Sequence, residues 1–275
     1  MPDAPAVTGA EERIGIIAGS GQFPFLVARG AAERGLGVVI CGIAGNADPA
    51  LAEFAEDFVM LPVGQLNKLI KFFRSRKVGR LCMAGAVSKV KALDIRPDFR
   101  AAGLIIRLAG KGDDALLRAV ADILQGEGFS VVRPDDLAPE LRCSPGVLGK
   151  IQPDAYTSRD VEFGITIAEN IGAMDIGQCV AVRRGIVVAV EAVEGTDATL
   201  IRGGQLGGAG CTAVKVLKPG QDKRMDLPSV GAGTLKIMAR YKYACLAFDA
   251  RGTLFFDREA ALAEADTAGI AVVAF

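Results

Sequence analysis

The sequence predicts an α/β protein in two parts: an N-terminal Rossmann-like or flavodoxin-like domain with a mainly parallel sheet, and a C-terminal mixed α/β domain, joined by a proline-rich linker. Three observations predict it. Short apolar runs alternate with helical patterns through the first half, which is how a doubly wound sheet covered on both faces reads. Pro134, Pro139, Pro145 and Pro153 then interrupt any regular element between 134 and 158. Beyond them, two apolar runs join through Arg183-Arg184-Gly185, which makes a hairpin. The boundaries drawn are a disordered tail at 1–12, the first domain at 13–136, the linker at 137–157 and the second domain at 158–275. A chain of 275 residues holds one large or two modest domains at roughly 100–200 residues each.

The elements follow in order. IGIIA (14–18) is a strand that ends at Gly19-Ser20-Gly21, and a helical pattern then runs through Leu26, Val27 and Arg34 to stop at Gly35. VVICGI (38–43) and FVMLP (58–62) are the second and third strands. In QLNKLIKFFRSRK (65–77), Leu66, Leu69, Ile70 and Phe73 make the buried stripe of an amphipathic helix, with Phe72 off it beside Lys68, Lys71 and Arg74. VGRLCMAGAV (78–87) is the fourth strand, 97–110 and 112–128 are helices, and FSVVRP (129–134) is a further strand. In the second half, 159–174 is a helix, 178–195 the hairpin and 212–220 a strand with basic residues. A helix at 233–241, strands within 244–256, a helix at 258–267 and a last strand at 271–275 complete it. The run GGQLGGAG (203–210) reads as a loop, either a flap over a ligand or plain turn chemistry.

Composition excludes whole classes. Thirty-two basic residues balance 32 acidic ones, so a general nucleic-acid binder, which needs excess Lys and Arg, is ruled out. Histidine is absent, so no Ser-His-Asp triad, Cys-His pair, His-ligated zinc or His general base exists. Acid–base chemistry must rest on Asp, Glu, Lys, Tyr, Cys or a metal-bound water. The six cysteines (41, 82, 143, 179, 211 and 245) form no C-x-x-C and sit mostly in apolar runs, as reduced core thiols of a cytosolic protein do. No signal pattern opens the chain, and no apolar run approaches the roughly 18–20 residues that span a bilayer.

Several constellations can carry chemistry. Gly19-Ser20-Gly21-Gln22 between strand and helix is either a phosphate cradle or a tight turn; Pro24 stands where the dinucleotide fingerprint needs glycine. Gly85, in Met83 to Val87, lies where open sheets hold ligands. Glu191, Glu194 and Asp197 cluster after one apolar strand, and Lys215, Lys218, Asp222, Lys223, Arg224 and Asp226 after another. Carboxylates for a divalent metal and cations for non-bridging oxygens suit a polyphosphate; the competing reading is a solvated, mutually paired loop. Gly112-Asp113-Asp114 is a helix cap or a source of metal ligands. The helices at 65–77 and 97–110 join apolar faces to Arg100, Arg107 and Lys111, which suits an anionic membrane or acyl groove, or else ordinary burial or a homodimer interface.

Taken together, IIAGSGQFP, GDDALL, MDIGQCVAV, VEAVEGTDATLIR and VLKPGQDKRMDLPSVGAGT resemble the LpxI family of UDP-2,3-diacylglucosamine pyrophosphatases of bacterial lipid A synthesis, over nearly the whole length. The resemblance implies hydrolysis of UDP-2,3-diacylglucosamine to 2,3-diacylglucosamine 1-phosphate and UMP with Mg²⁺ or Mn²⁺. It also implies two domains clasping this lipid-linked UDP-sugar, and a peripheral position on the cytoplasmic face of the inner membrane. The family's KP-x-QD-x-R-x-DLP block falls on Lys218, Pro219, Gln221, Asp222, Arg224, Asp226, Leu227 and Pro228, with Met225 where an aromatic is expected, and its EGTD block on Glu194, Gly195, Thr196 and Asp197. On that basis Asp226 is expected to act as metal ligand or general base, with Asp222, Glu194 and Asp197 assisting at the metal. Lys215, Lys218 and Arg224 are expected to hold phosphate oxygens, Thr196 and Gln221 to bind substrate, and Gly19 to Gln22 to supply N–H groups. Two rivals stand beside this: a non-catalytic carrier of the same nucleotide-sugar lipid, and a nucleotide-dependent oxidoreductase.

Overall fold

The computed structural model describes residues 12–87, 97–107, 113–222, 224–225 and 227–275. The chain divides into two compact units, residues 1–139 with 222–226, and 140–221 with 227–275. Asp222, Arg224 and Met225 of the C-terminal half thus belong to the first unit.

In the first unit, strands β1 (Arg13–Ala18), β2 (Gly37–Ile43), β3 (Asp57–Leu61), β4 (Arg80–Ala84) and β5 (Ser130–Val131) form one parallel sheet in the order β3-β2-β1-β4-β5. This is the Rossmann order and not the flavodoxin one, and it puts the switch point between β1 and β4. Helices α1 (Phe23–Glu33), α2 (Leu66–Ser75), α3 (Phe99–Arg107) and α4 (Asp113–Gly126) supply the covering layers. Between β2 and β3 stands only a short 3₁₀ segment, Pro49–Phe54. The core under α2 and α4 gathers Phe73, Leu124, Leu81 and Cys41. Phe72, expected off the stripe of α2, is buried in that same core with the Arg76 guanidinium 4.3 Å above its ring; adjacent helical positions both reach inward because α2 is covered on more than one side. The Gly112-Asp113-Asp114 expectation, like Lys111, falls outside the described side chains.

The second unit holds a six-stranded mixed sheet. Its strands are β6 (Gly146–Val147), β7 (Cys179–Arg183), β8 (Ile186–Val190), β9 (Thr212–Lys215), β11 (Cys245–Phe248) and β13 (Ala271–Ala274), in the order β6-β13-β11-β9-β7-β8. Strands β10 (Ser229–Val230) and β12 (Leu254–Phe255) pair separately. Helix α5 (Ala155–Ala173) covers one face through Val161, Ala168 and Ile171. Helices α6 (Thr196–Gly207), α7 (Ala232–Arg240) and α8 (Arg258–Ala268) cover the other through Leu200, Leu235, Met238 and Ala261. The β7–β8 hairpin turns at Arg184 (φ 48) and Gly185 (φ 73), as the sequence indicates. Asp160 of α5 clasps that turn, its carboxylate accepting both turn N–H groups at 2.7 Å.

The loop expected at 203–210 is mostly helix. A Cβ on Gly203 would sit 2.7 Å from the Ala181 Cβ, on Gly204 2.4 Å from the Tyr241 Cβ, and on Gly207 2.4 Å from the Cys211 Sγ. The glycines are there so that α6 can lie close to the sheet and α7, not to make a flap. All six cysteines are free and buried, in line with the sequence reading.

Candidate functional site

Two loops leave the carboxyl ends of β1 and β4, which flank the switch point. They are tied to each other. Gly19 N–H donates to Ala84 O at 2.8 Å, Ser20 N–H to Ala86 O at 2.7 Å, and Ala86 N–H back to Ser20 O at 3.3 Å. The Ser20 hydroxyl donates to Ala86 O as well, at 2.9 Å. A Cβ on Gly19 would stand 2.6 Å from Gly85 O, and one on Gly85, whose φ is +88, 2.5 Å from Ser20 O. Gly19 and Gly85 therefore let two backbones meet, and the N–H groups of Gly19 and Ser20 are spent within the protein. Gly21 differs: its φ is +89 and nothing lies within 4 Å of a Cβ there. The open position of this stretch is Gly21, just ahead of the N-cap Gln22 of α1.

The carboxyl edge of the second sheet collects more chemistry. Strands β8, β9 and β11 end there with Glu191, Lys215 and Asp249, and α6 begins there. Lys215 is 6% exposed, and its ammonium donates to Ser229 O at 2.8 Å. No carboxylate among the described residues pairs with it. A buried cation normally has a counter-charge; this one makes one hydrogen bond of the three it can donate and no ion pair among the described residues. Its neighbourhood is shown by Cys179, its cross-strand partner, whose thiol is pushed up to about 12 by burial and by Glu191 and Asp197, with Lys215 acting the other way.

Helix α6 opens beside this group with Gly195 as N-cap (φ 82) and no side-chain cap, so the first-turn N–H groups face outward unshielded by a capping oxygen. Thr196 and Asp197 start the helix. Thr196 does not cap; its hydroxyl donates to the Glu191 carboxylate at 2.9 Å. Asp249 is fully buried. Burial pushes its carboxyl up, but hydrogen bonds from the Arg251 side chain and backbone outweigh that and hold it below its usual value.

The other expected residues are engaged locally. Glu194 pairs with Arg202 and accepts from Ala192 N–H at 3.2 Å. Its carboxyl is lowered by a hydrogen bond from its own N–H and then by Arg202. Lys218 is salt-bridged to Asp175 at 2.7 Å, and Gln221 closes the Lys218-Pro219-Gly220 turn by donating its N–H to Lys218 O at 3.0 Å. Asp222 and Arg224 belong to the first unit and bind each other: Arg224 Nε donates to Asp222 at 2.9 Å, and Arg224 also reaches Gln125 of α4 at 3.0 Å. Arg224's hydrogen bond, working against burial, holds the Asp222 carboxyl low. Met225 is buried in the first unit's core among residues of α2 and α4, which explains an apolar side chain at that position. Asp226 and Lys223 lie outside the described residues.

Among the described residues, no three of His, Cys, Asp and Glu come together as a metal site. Asp222 and Glu194 are each committed to an arginine, which leaves Asp197, exposed, as the one of the expected set without an ion pair among the described residues. Among the described residues the carboxylates expected at a metal do not form a closed cage by themselves; Mg²⁺ commonly takes only one or two carboxylates beside phosphate and water. The structure thus brings Thr196, Asp197 and Lys215 to one edge of the second unit, while Asp222 and Arg224 belong to the first unit. Glu191, counted in the acidic cluster by the sequence reading but given no role there, is hydrogen-bonded at the centre of that edge.

A Rossmann-type unit followed by a mixed α/β unit with an anion-attracting sheet edge defines the class. Within it, residues 13–141 match the LpxI N-terminal domain and residues 144–273 the LpxI C-terminal domain, so the chain belongs to the LpxI family. It is 35% identical over 273 residues to the UDP-2,3-diacylglucosamine pyrophosphatase LpxI of Caulobacter vibrioides, covering 95% of this chain and 96% of that one. Solved structures resemble it weakly. The biotin carboxylase domain of Hydrogenobacter thermophilus 2-oxoglutarate carboxylase is 12% identical with a TM-score of 0.27, covering 65% of this chain and 36% of that one. For the N5-carboxyaminoimidazole synthetase of Staphylococcus aureus the values are 12%, 0.28, 62% and 32%. Likenesses at this level carry no argument about the present chain.

Proposed function

We propose that the protein hydrolyses the diphosphate of UDP-2,3-diacylglucosamine, with water attacking one phosphorus to give UMP and 2,3-diacylglucosamine 1-phosphate, in the synthesis of lipid A. Membership of the LpxI family supports the substrate. The observation that carries the chemistry is Lys215, a buried ammonium without a carboxylate partner among the described residues, at the sheet edge where the uncapped α6 starts. Charge on the non-bridging oxygens grows or shifts during phosphoryl transfer, and preformed donors in a dry site stabilise it. Lys215 and the first-turn N–H groups of α6 would hold the diphosphate, with Thr196 at the same edge. Lys218 and Arg224 would contribute by exchanging Asp175 and Asp222 for phosphate oxygens.

Asp226 keeps the role of base or metal ligand in this proposal, on the family motif alone. Mg²⁺ or Mn²⁺ would arrive with the diphosphate, since Mg²⁺ commonly takes one or two carboxylates, substrate phosphates and water. Asp197 is a described carboxylate free to share in that. Peripheral association with the cytoplasmic face of the inner membrane belongs to the same proposal. No helix among the described residues is long and apolar enough to cross a membrane. Phe99 is 97% exposed at the start of α3, next to a groove lined by Lys71 and by Arg74 and Arg100, both paired with Glu127; an exposed aromatic beside basic residues is a composition that anionic lipid attracts.

The test is direct. Purified protein is incubated with UDP-2,3-diacylglucosamine, with and without Mg²⁺ or Mn²⁺, and UMP is measured. UMP released only with metal is the expected result. Tight binding of the lipid with no UMP under any metal would leave a carrier instead.

A further inference from the structure

We infer that Glu191 is a positioning residue for the diphosphate site, setting the start of α6 against the end of β9; this rests on the reading of that edge given above. Glu191 follows β8 directly and is 6% exposed. One carboxylate oxygen accepts from the Thr196 hydroxyl at 2.9 Å, at the first residue of α6. The other accepts from Gln178 N–H at 3.1 Å. The Gln178 carbonyl in turn accepts from Val216 N–H at 2.9 Å, the residue next to Lys215. The N–H of Glu191 itself donates to Cys179 O at 2.9 Å. Four chain segments therefore meet on this residue: the end of β8, the start of β7, the end of β9 and the start of α6.

The choice of partner matters. A carboxylate at a helix start usually caps the free N–H groups. Glu191 takes the Thr196 hydroxyl instead, and the N–H groups stay available to an anion. No ion pair joins Glu191 to Lys215 among the described residues, so the ammonium is held near an acid without being neutralised by it. Close packing enforces the arrangement, since a Cβ on Gly177 would come within 2.1 Å of Glu191 O.

Hydrogen bonding and charge can be separated here. In Glu191→Gln the amide oxygen can accept from Gln178 N–H while the amide nitrogen donates to the Thr196 oxygen, because a hydroxyl rotates to accept as readily as to donate. A positioning role therefore survives this change. A role that needs the negative charge, as metal ligand or base, does not. Glu191→Ala removes both bonds and releases α6 from β9, and misplacement of about 1 Å can cost roughly 100-fold.

The experiment measures UMP release, UDP affinity by calorimetry and the melting temperature for wild type, Glu191→Gln and Glu191→Ala. The expected result is a loss on the order of 100-fold in kcat/KM with weaker UDP binding for Glu191→Ala, and near-wild-type behaviour for Glu191→Gln. Equal inactivity of the two variants with UDP binding intact overturns the inference, and so does full activity of Glu191→Ala. Should Glu191→Ala fail to fold, Thr196→Val carries the test: it should fall in the same direction, with Thr196→Ser restoring both readouts, and wild-type kinetics for Thr196→Val overturns the inference. A wild-type protein that binds UDP yet releases no UMP sinks the proposed reaction alone, because UDP affinity still ranks the variants. A wild-type protein that binds no UDP sinks both.

Discussion

Replacing Lys215 by Met should cost activity without costing stability. The stems are alike in length, and the site around the side chain is buried, so Met fills the space. What is lost is a hydrogen bond from a charged donor to Ser229 O, worth about 1.5–3 kcal/mol. What is relieved is the burial of an ion with no counter-charge, several kcal/mol in real proteins. The two nearly cancel or favour the variant, so the folded state should be unchanged or firmer by about 1–2 kcal/mol. For a chain of this size that is a melting point roughly 2–8 °C higher at most. Catalysis should move the other way. Removing one preformed donor from a developing anion costs about 3–4 kcal/mol, or 100-fold to 1000-fold in kcat. Differential scanning fluorimetry and the UMP assay on the same preparation read both quantities. A Lys215→Met protein that melts well below wild type, with activity falling only as the folded fraction falls, would show that the ammonium is structural and refute the reasoning. So would full activity.

Three further outcomes follow from particular groups. Asp160→Ala leaves the Arg184 and Gly185 N–H groups without their acceptor and should destabilise the second unit by about 1–3 kcal/mol, measured by urea denaturation, with kcat unchanged in the folded protein. The Asp249 carboxyl is lower in the folded protein than in the unfolded chain. Its contribution is therefore complete above the usual aspartate value of 3.8 and is lost as pH falls through the depressed folded value. Asp249→Asn should accordingly melt lower than wild type at neutral pH and converge with it in acid; parallel curves would exclude this source. The thiols of Cys41, Cys82, Cys179 and Cys245, each pushed up to about 12 chiefly by burial, should resist alkylation in the native protein and react on denaturation. Mass spectrometry after iodoacetamide treatment counts them.

The strands of the first unit were legible because each is a short apolar run bounded by glycine or a polar turn, and local sequence suffices for that. Their order was not, since nothing in a strand's own residues says which neighbour it takes; the β3-β2-β1-β4-β5 order rests on long-range pairing. Helix α6 was hidden for a related reason. Glycine in a helix is locally unfavourable, and only the presence of Tyr241, Ala181 and Cys211 against Gly203, Gly204 and Gly207 explains why it is used. Gly19 and Gly85 teach the same lesson at the switch point, where each is required by the close approach of the other's loop.

The site divides along the same line. Charge alternation at 215–226 marks chemistry, but it does not say which charges cancel. Asp222 with Arg224, Lys218 with Asp175 and Glu194 with Arg202 are satisfied pairs, whereas Lys215 is left over, and it is the leftover charge that can bind. Glu191 did carry a readable signal. In a strand, residues two apart share a face, and Ala189 lies in the core, so an acid two positions on points the same way, inward. An inward acid at the end of a strand must find donors or be neutralised. Glu191 finds them in Thr196 and Gln178, and in doing so orients the helix start that the neighbouring ammonium needs as its partner in holding a diphosphate. The cost of burying Glu191 and Lys215 is thus met by one local network on the acid's side and left open on the lysine's, an imbalance that a bound anion would correct.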